Sequence, residues 1–229
     1  MVLPWQKPLF HVQNQKNVVK DGCLMSDIAI NLVFEDRLSG SVLHKLLINS
    51  RQNYLVGYSY NSGGFGWIKQ KINGFNEAAK GMSYFILTDL DQNECPPVLL
   101  DEWLIGDRHH NMIFRVAERQ VESWLLACRT PFAKFLGVRE NLIPSKVDEI
   151  ANAKAVVIDL ARRSQRRQVR LDIVPQEGST AKVGPDYNGR LIHFVESIWD
   201  PNIAKELSPS LRRAMEILDY FEPIVEGPL

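Results

Sequence analysis

The chain has 229 residues, 45% hydrophobic and 24% charged, the profile of a globular protein with one large or two small domains. Lysine plus arginine equals aspartate plus glutamate at 27 each, so net charge argues neither for nor against nucleic acid, and only local patches bear on it. Cys23, Cys95 and Cys128 are too scattered for a disulfide framework or a zinc site and fit a reducing compartment. No apolar run reaches the ~20 residues of a membrane helix, and no secretory pattern opens the chain, so a cytoplasmic protein without membrane contact is expected.

Residues 1–24 show no helical or strand period and are expected to form a weakly packed extension, with Met25 a candidate natural start. Residues 28–34 then read as a strand, and "SGSVLHKLLINS" as a helix burying Val42, Leu43, Leu46 and Leu47. A second strand is expected over 53–60. It is followed by the glycine turn "NSGGFG" and a helix over 67–79. The run Tyr84-Phe85-Ile86-Leu87 reads as a strand buried on both faces, and Pro96-Pro97 as the start of a short helix to about Ile105. A fourth strand is expected over 111–117, with a helix through "RQVESWLLA". This alternation predicts an α/β fold, with a mostly parallel sheet covered by helices over residues 25–129. Residues 130–229 read as a helical region packed on that sheet. Helices are expected over 145–167, 190–199 and 210–221, the last capped by Ser208 with Pro209 at its first position. Trp67, Trp103, Trp124 and Trp199 fit apolar helix faces and are expected in the core.

Chemistry concentrates where strands end. In "YFILTDLDQNECPP" an apolar strand exits into Asp89 and Asp91, and ligands of open α/β sheets bind outside such carboxyl ends. Two carboxylates one residue apart can share a hard cation, although an acidic turn is the plainer alternative. The first strand exits the same way into Glu35 and Asp36, and the fourth into Glu118, with Glu122 one helical turn later. Carboxylates converging from three strand exits repel one another unless protonated or met by cations. Glu118 and Glu122 have a second reading as a solvated face paired with Arg115 or Arg119, and Glu35 as a helix N-terminal charge. His109 and His110 are adjacent, point to opposite faces of a strand and receive no metal role.

A Glu ending the first strand and a DxD ending a later one resemble the signature of the Toprim fold of topoisomerases, primases and overcoming-lysogenization-defect nucleases. More closely, "VFEDRLSGSVLHKLL", "FILTDLDQNEC", "FRVAERQVESWLLA" and "AKVGPDYNGRLIHFV" resemble a bacterial Toprim-like family of unknown function that often occurs with genome-defence genes. The resemblance covers most of the chain from Met25 onward. It implies that Glu35 is a general acid/base and that Asp89 and Asp91 hold Mg²⁺, with Mn²⁺ as a substitute. It also marks Glu122 as the fourth member of the metal site beside Glu35, Asp89 and Asp91, through "RQVESW", where the family tends to carry "RExEaW". Gln120 stands where an acid is usual, which leaves open whether one or two metals bind.

Carboxylate-held Mg²⁺ neutralises charge on the attacking and leaving oxygens of a phosphodiester, and a nearby carboxylate can manage the proton. Phosphate contacts are expected from "ARRSQRRQVR", where Arg162, Arg166 and Arg170 would form one stripe on a helix. A solvated helix face is the alternative. Lys182, in a glycine-containing loop that does not match P-loop spacing, is a further candidate. The expectation is a Mg²⁺-dependent nuclease or related phosphodiester-processing enzyme acting on nucleic acid, with a defence role implied by the resemblance alone. Two rivals stand beside it. One is a degenerate Toprim module that binds nucleic acid or a nucleotide without cutting. The other is a subunit acting with a partner ATPase, and a homo-oligomer is a further possibility for assembly.

Overall fold

A computed structural model describes residues 27–91 and 93–224. The extension expected over 1–24, the start at Met25 and Cys23 lie outside the described residues. Four strands alternate with helices: β1 (Ile28–Phe34), α1 (Arg37–Ile48), β2 (Tyr54–Asn61), α2 (Phe65–Ala78), β3 (Ser83–Asp89), α3 (Pro96–Trp103) and β4 (Met112–Ala117). The rest is helical: α4 (Glu122–Ala127), α5 (Arg129–Leu136), α6 (Ala153–Arg162), α7 (Arg167–Ile173), α8 (Tyr187–Ser197), α9 (Pro201–Ala204) and α10 (Pro209–Asp219). Two short 3₁₀ turns, Glu140–Leu142 and Val147–Glu149, lie between α5 and α6.

The sheet has the order β2-β1-β3-β4, and every pairing is parallel. Its alternating side chains separate two apolar layers, as strand geometry requires. Ile30, Leu32, Phe34, Phe85, Leu87 and Ile113 face a large layer shared with α1 and the C-terminal helices. Val33, Tyr84, Ile86, Met112 and Phe114 face a smaller layer under α2 and α3. The central strands β1 and β3 are therefore buried on both sides, which explains their unbroken apolar runs.

The C-terminal helices continue the large layer. Helix α8 packs along α1, and α10 lies against β4. Trp124 is fully buried at this seam, donating from Nε1 to Ser210 Oγ at 2.7 Å, and its carbonyl accepts from Trp199 Nε1 at 3.2 Å. Trp103 is buried and Trp67 packs at the edge of the smaller layer, so the four tryptophans expected in the core belong to it. Ser208 caps α10 by accepting from the Leu211 N–H at 3.3 Å, with Pro209 opening the helix.

Two expected helices are shorter than their patterns. The helix expected over 145–167 is only α6, and a break at residues 163–166 precedes α7. Ser164 makes the break: its Oγ accepts from the Arg166 N–H at 3.0 Å, and the Gln165 N–H donates to the Gly137 carbonyl at 3.1 Å. A hydroxyl that bonds nearby backbone competes with helix continuation. The helix through "RQVESWLLA" begins only at Glu122, because Arg119 takes a left-handed φ of 61°. No helix of the described residues is long and apolar enough to cross a membrane.

Candidate functional site

Strands β1 and β3 are neighbours, yet their outgoing connections diverge. Helix α1 leads from β1 outward to β2 on one face, while α3 leads from β3 to β4 on the other. Such a switch point opens a crevice at the carboxyl ends of the two strands. A cleft of about 340 Å³ lies there, lined by Glu35, Asp36, Asp89, Asp91, Asn61, Gln120, Lys154 and Asn188 among others. The strand exits singled out in the sequence thus bring Glu35, Asp89 and Asp91 to one place.

Each carboxylate is held differently. Glu35 Oε1 accepts from the Asp89 N–H at 2.9 Å and from Thr88 Oγ1. Burial pushes the Glu35 pKa up. Those two hydrogen bonds oppose the shift, and Asp91 and Asp36 add to it. Asp89 Oδ1 accepts from the Val121 N–H at 2.9 Å, while the residue stays partly open to the cleft. Its pKa is held well above the usual carboxylate range by burial first, then by Glu122, Glu35 and Asp91. Asp36 is the N-cap of α1, accepting from the Ser39 N–H at 2.9 Å and Ser39 Oγ at 3.0 Å.

Asp91 sits on a strained support. It has φ 48° and Arg119 has φ 61°, the only non-glycine residues with positive φ among those described. The two brace each other. The Asp91 N–H donates to the Arg119 carbonyl at 2.9 Å, and Arg119 Nη1 donates to the carbonyls of Asp91 at 3.1 Å and Asn93 at 2.9 Å. Backbone strain of this kind, ~1–3 kcal/mol per residue, collects at functional sites.

Behind Asp89 lies Glu122, only 2% exposed. Tyr187 donates to its Oε1 at 3.0 Å, Lys154 Nζ stands 3.7 Å from the same oxygen, and Oε2 has no partner. Burial raises the Glu122 pKa, while Lys154 and Tyr187 oppose that shift. Burial pulls the Lys154 pKa down, but Glu122, Asp36, Asp89 and Asp91 outweigh it and hold the ammonium protonated. Tyr187 is kept protonated by burial and by Glu122, so it serves as a donor.

The remaining sequence candidates lie elsewhere. Glu118 does not share a helical face with Glu122, because the left-handed Arg119 intervenes. It pairs instead with Arg213 of α10 at 2.9 Å, not with Arg115 or Arg119. Arg162, Arg166 and Arg170 do not form the expected stripe, since the helix breaks between them. Arg162 pairs with Asp159 at 2.6 Å, Arg166 donates to the Phe135 carbonyl at 3.1 Å, and Arg170 donates to the Ser164 carbonyl. None of these arginines lines the cleft, and neither does Lys182, which is exposed. In that loop Gly184 packs against the end of α7, where a side chain would meet the Asp172 and Ile173 backbone.

Several side chains of the site escaped the sequence reading as site residues, among them Arg37, Asn61, Lys154, Tyr187 and Asn188. Tyr187 and Asn188 fall inside "AKVGPDYNGRLIHFV", so the resemblance held a signal for them. Lys154 sits in an ordinary amphipathic helix and had none. Gln120 accepts from the Lys154 N–H at 3.0 Å and so anchors the start of α6 beside the cleft.

The donor set suits a hard cation. Glu35, Asp36, Asp89 and Asp91 line the cleft against only Arg37 and Lys154, and the unpartnered Glu122 oxygen lies behind them. Among the described residues no three His, Cys, Asp or Glu side chains already converge on one point. Mg²⁺ does not require that, because it keeps several waters and takes one or two carboxylates. Compared with known proteins, the chain matches no family model, no curated protein and no solved structure.

Proposed function

We propose that this chain is a Mg²⁺-dependent phosphodiester-processing enzyme, a nuclease of Toprim type. One observation carries the reading: Glu35, Asp89 and Asp91 crowd at the switch-point crevice, with buried Glu122 behind Asp89 carrying an oxygen without a partner. A bound Mg²⁺ would supply Lewis-acid neutralisation of the phosphate oxygens. Asp89 and Asp91 would hold it, one at the floor of the cleft and one on the strained turn. Glu35 is the proton carrier. Its raised pKa places it nearer neutrality than an ordinary glutamate, and one of its oxygens is already fixed by Thr88 and the Asp89 N–H. Lys154 presents a fixed positive charge to the same space. A role in defence against foreign nucleic acid rests on the sequence resemblance alone.

A binding module that grips nucleic acid or a nucleotide without cutting is the second reading. What favours it is the absence of a ready three-carboxylate group among the described residues, together with the ammonium already present. Incubation with single-stranded DNA, duplex DNA and RNA decides between them. The enzyme cleaves at least one substrate with Mg²⁺ or Mn²⁺, stops in EDTA, and loses cleavage in Asp89→Asn. Binding without cleavage in any metal selects the module. The same assay repeated with a partner ATPase tests whether the chain is a subunit that needs one.

A further inference from the structure

The catalytic reading counts the charges of Lys154 and Glu122 but does not say what their pairing does. Glu122 is buried, carries an oxygen with no partner, and is the charge that acts most strongly on Asp89. An isolated carboxylate so placed is expensive unless a positive charge answers it. The answering group is Lys154 Nζ, 3.7 Å away, reaching the cleft from the first turn of α6. It lies within electrostatic range of Asp36, Asp89 and Asp91 as well. Two further contacts fix the arrangement. Gln120 accepts from the Lys154 N–H and sets where α6 begins, and Tyr187 donates to the same Glu122 oxygen that Lys154 faces, leaving the other without a partner. Gln120 itself is neutral and lines the cleft, so this wall adds no carboxylate for another ion.

We propose that the Lys154 ammonium is a tethered cation occupying the place of a second metal, so that the site takes one divalent ion per chain. The inference rests on the phosphodiesterase reading and deepens it: the phosphate would meet one exchangeable and one covalently attached positive charge. Lys154 faces the cleft and also answers Glu122, two tasks that a second divalent ion between these carboxylates would otherwise perform. An ammonium has no empty coordination positions, so it neutralises without activating water. That duty would fall to Glu35 and to the one ion that Asp89 and Asp91 would hold.

Counting Mn²⁺ bound per chain, by calorimetric titration with electron paramagnetic resonance of the free ion, tests this without reference to activity. Wild type should bind one Mn²⁺, and Lys154→Met should bind two. If Lys154→Met fails to fold, Lys154→Gln, which removes the charge but keeps a polar end, should also bind two. A count of two in wild type, or one or none in the folded variant, overturns the inference and leaves the phosphodiesterase reading standing. A count of zero in wild type overturns both.

Discussion

The sheet half and the helical half of this molecule contribute opposite things to one cleft. Strands β1 and β3 deliver Glu35, Asp89 and Asp91 from their carboxyl ends, and the turn beside them is strained. The C-terminal helices deliver Lys154 and Tyr187, which relieve part of the charge the sheet half concentrates. Glu122 of α4 is the joint between them. The difference teaches that the acidic edge is tolerable because the helical half covers it. The seam is correspondingly well packed, around Trp124, Trp199 and Ser210.

The largest effects should come from breaking one side of this division at a time. Glu35→Gln removes the proton carrier but keeps an oxygen to accept from Thr88 and the Asp89 N–H. Under the proposed chemistry, single-turnover cleavage should fall ~10²–10⁴-fold while the melting temperature is no lower than that of wild type. Trp124→Ala breaks the seam instead. It empties a fully buried indole site and should lower unfolding free energy by ~3–5 kcal/mol in denaturant titration, loosening the helical half first in hydrogen exchange.

Smaller changes sharpen the comparison. Asp89→Asn keeps an oxygen to accept from the Val121 N–H and deletes one repelling charge. In EDTA at neutral pH it should raise the melting temperature by ~2–4 °C, the shift expected of about 1 kcal/mol in a chain of this size. The pH dependence has a definite sign. Asp89, Glu35 and Glu122 all have raised folded pKa values, so the folded state binds their protons more tightly than the unfolded state. Their contribution to stability is full below the unfolded carboxylate range and is lost as pH rises through the folded values. The gap between Asp89→Asn and wild type should therefore widen as pH rises from the unfolded carboxylate range through the raised folded pKa of Asp89, and Mg²⁺ should narrow it. A gap that shrinks with rising pH means the cluster does not repel itself.

The smallest effect is expected at Glu118. Its bond to Arg213 is exposed and lies outside the cleft, so Glu118→Gln should change stability by less than ~1 kcal/mol and leave cleavage unchanged. A large loss of activity would mean that Glu118, rather than Glu122, serves the site.

The sheet half was legible because its signals are local. Apolar runs such as Ile28–Phe34 and Tyr84–Leu87 mark central strands, and the charges that end them fall at one edge by geometry alone. The helical half was less so. The break at Ser164 depends on a hydroxyl turning back to the chain and on Gly137, a residue from another helix end. Nothing in the period of "RRSQRR" announces it, so an arginine stripe was expected where two helices meet. Lys154 was invisible for the same reason: its place depends on Gln120 and Glu122, both more than thirty positions away in the chain. Glu122 stood out over Glu118 through its place on the first turn of a helix at the same edge and through resemblance. Physically, the left-handed Arg119 swings the two apart.

The central claim is that the switch-point crevice is a divalent-cation site. An anomalous difference map from crystals soaked in Mn²⁺ tests it most directly. The account predicts a peak in the cleft bonded to Asp89 or Asp91, at the ~2.0–2.6 Å of hard-cation oxygen bonds, with Lys154 Nζ retained beside Glu122. A cleft without a peak at saturating Mn²⁺, or a peak only on surface carboxylates, would contradict it.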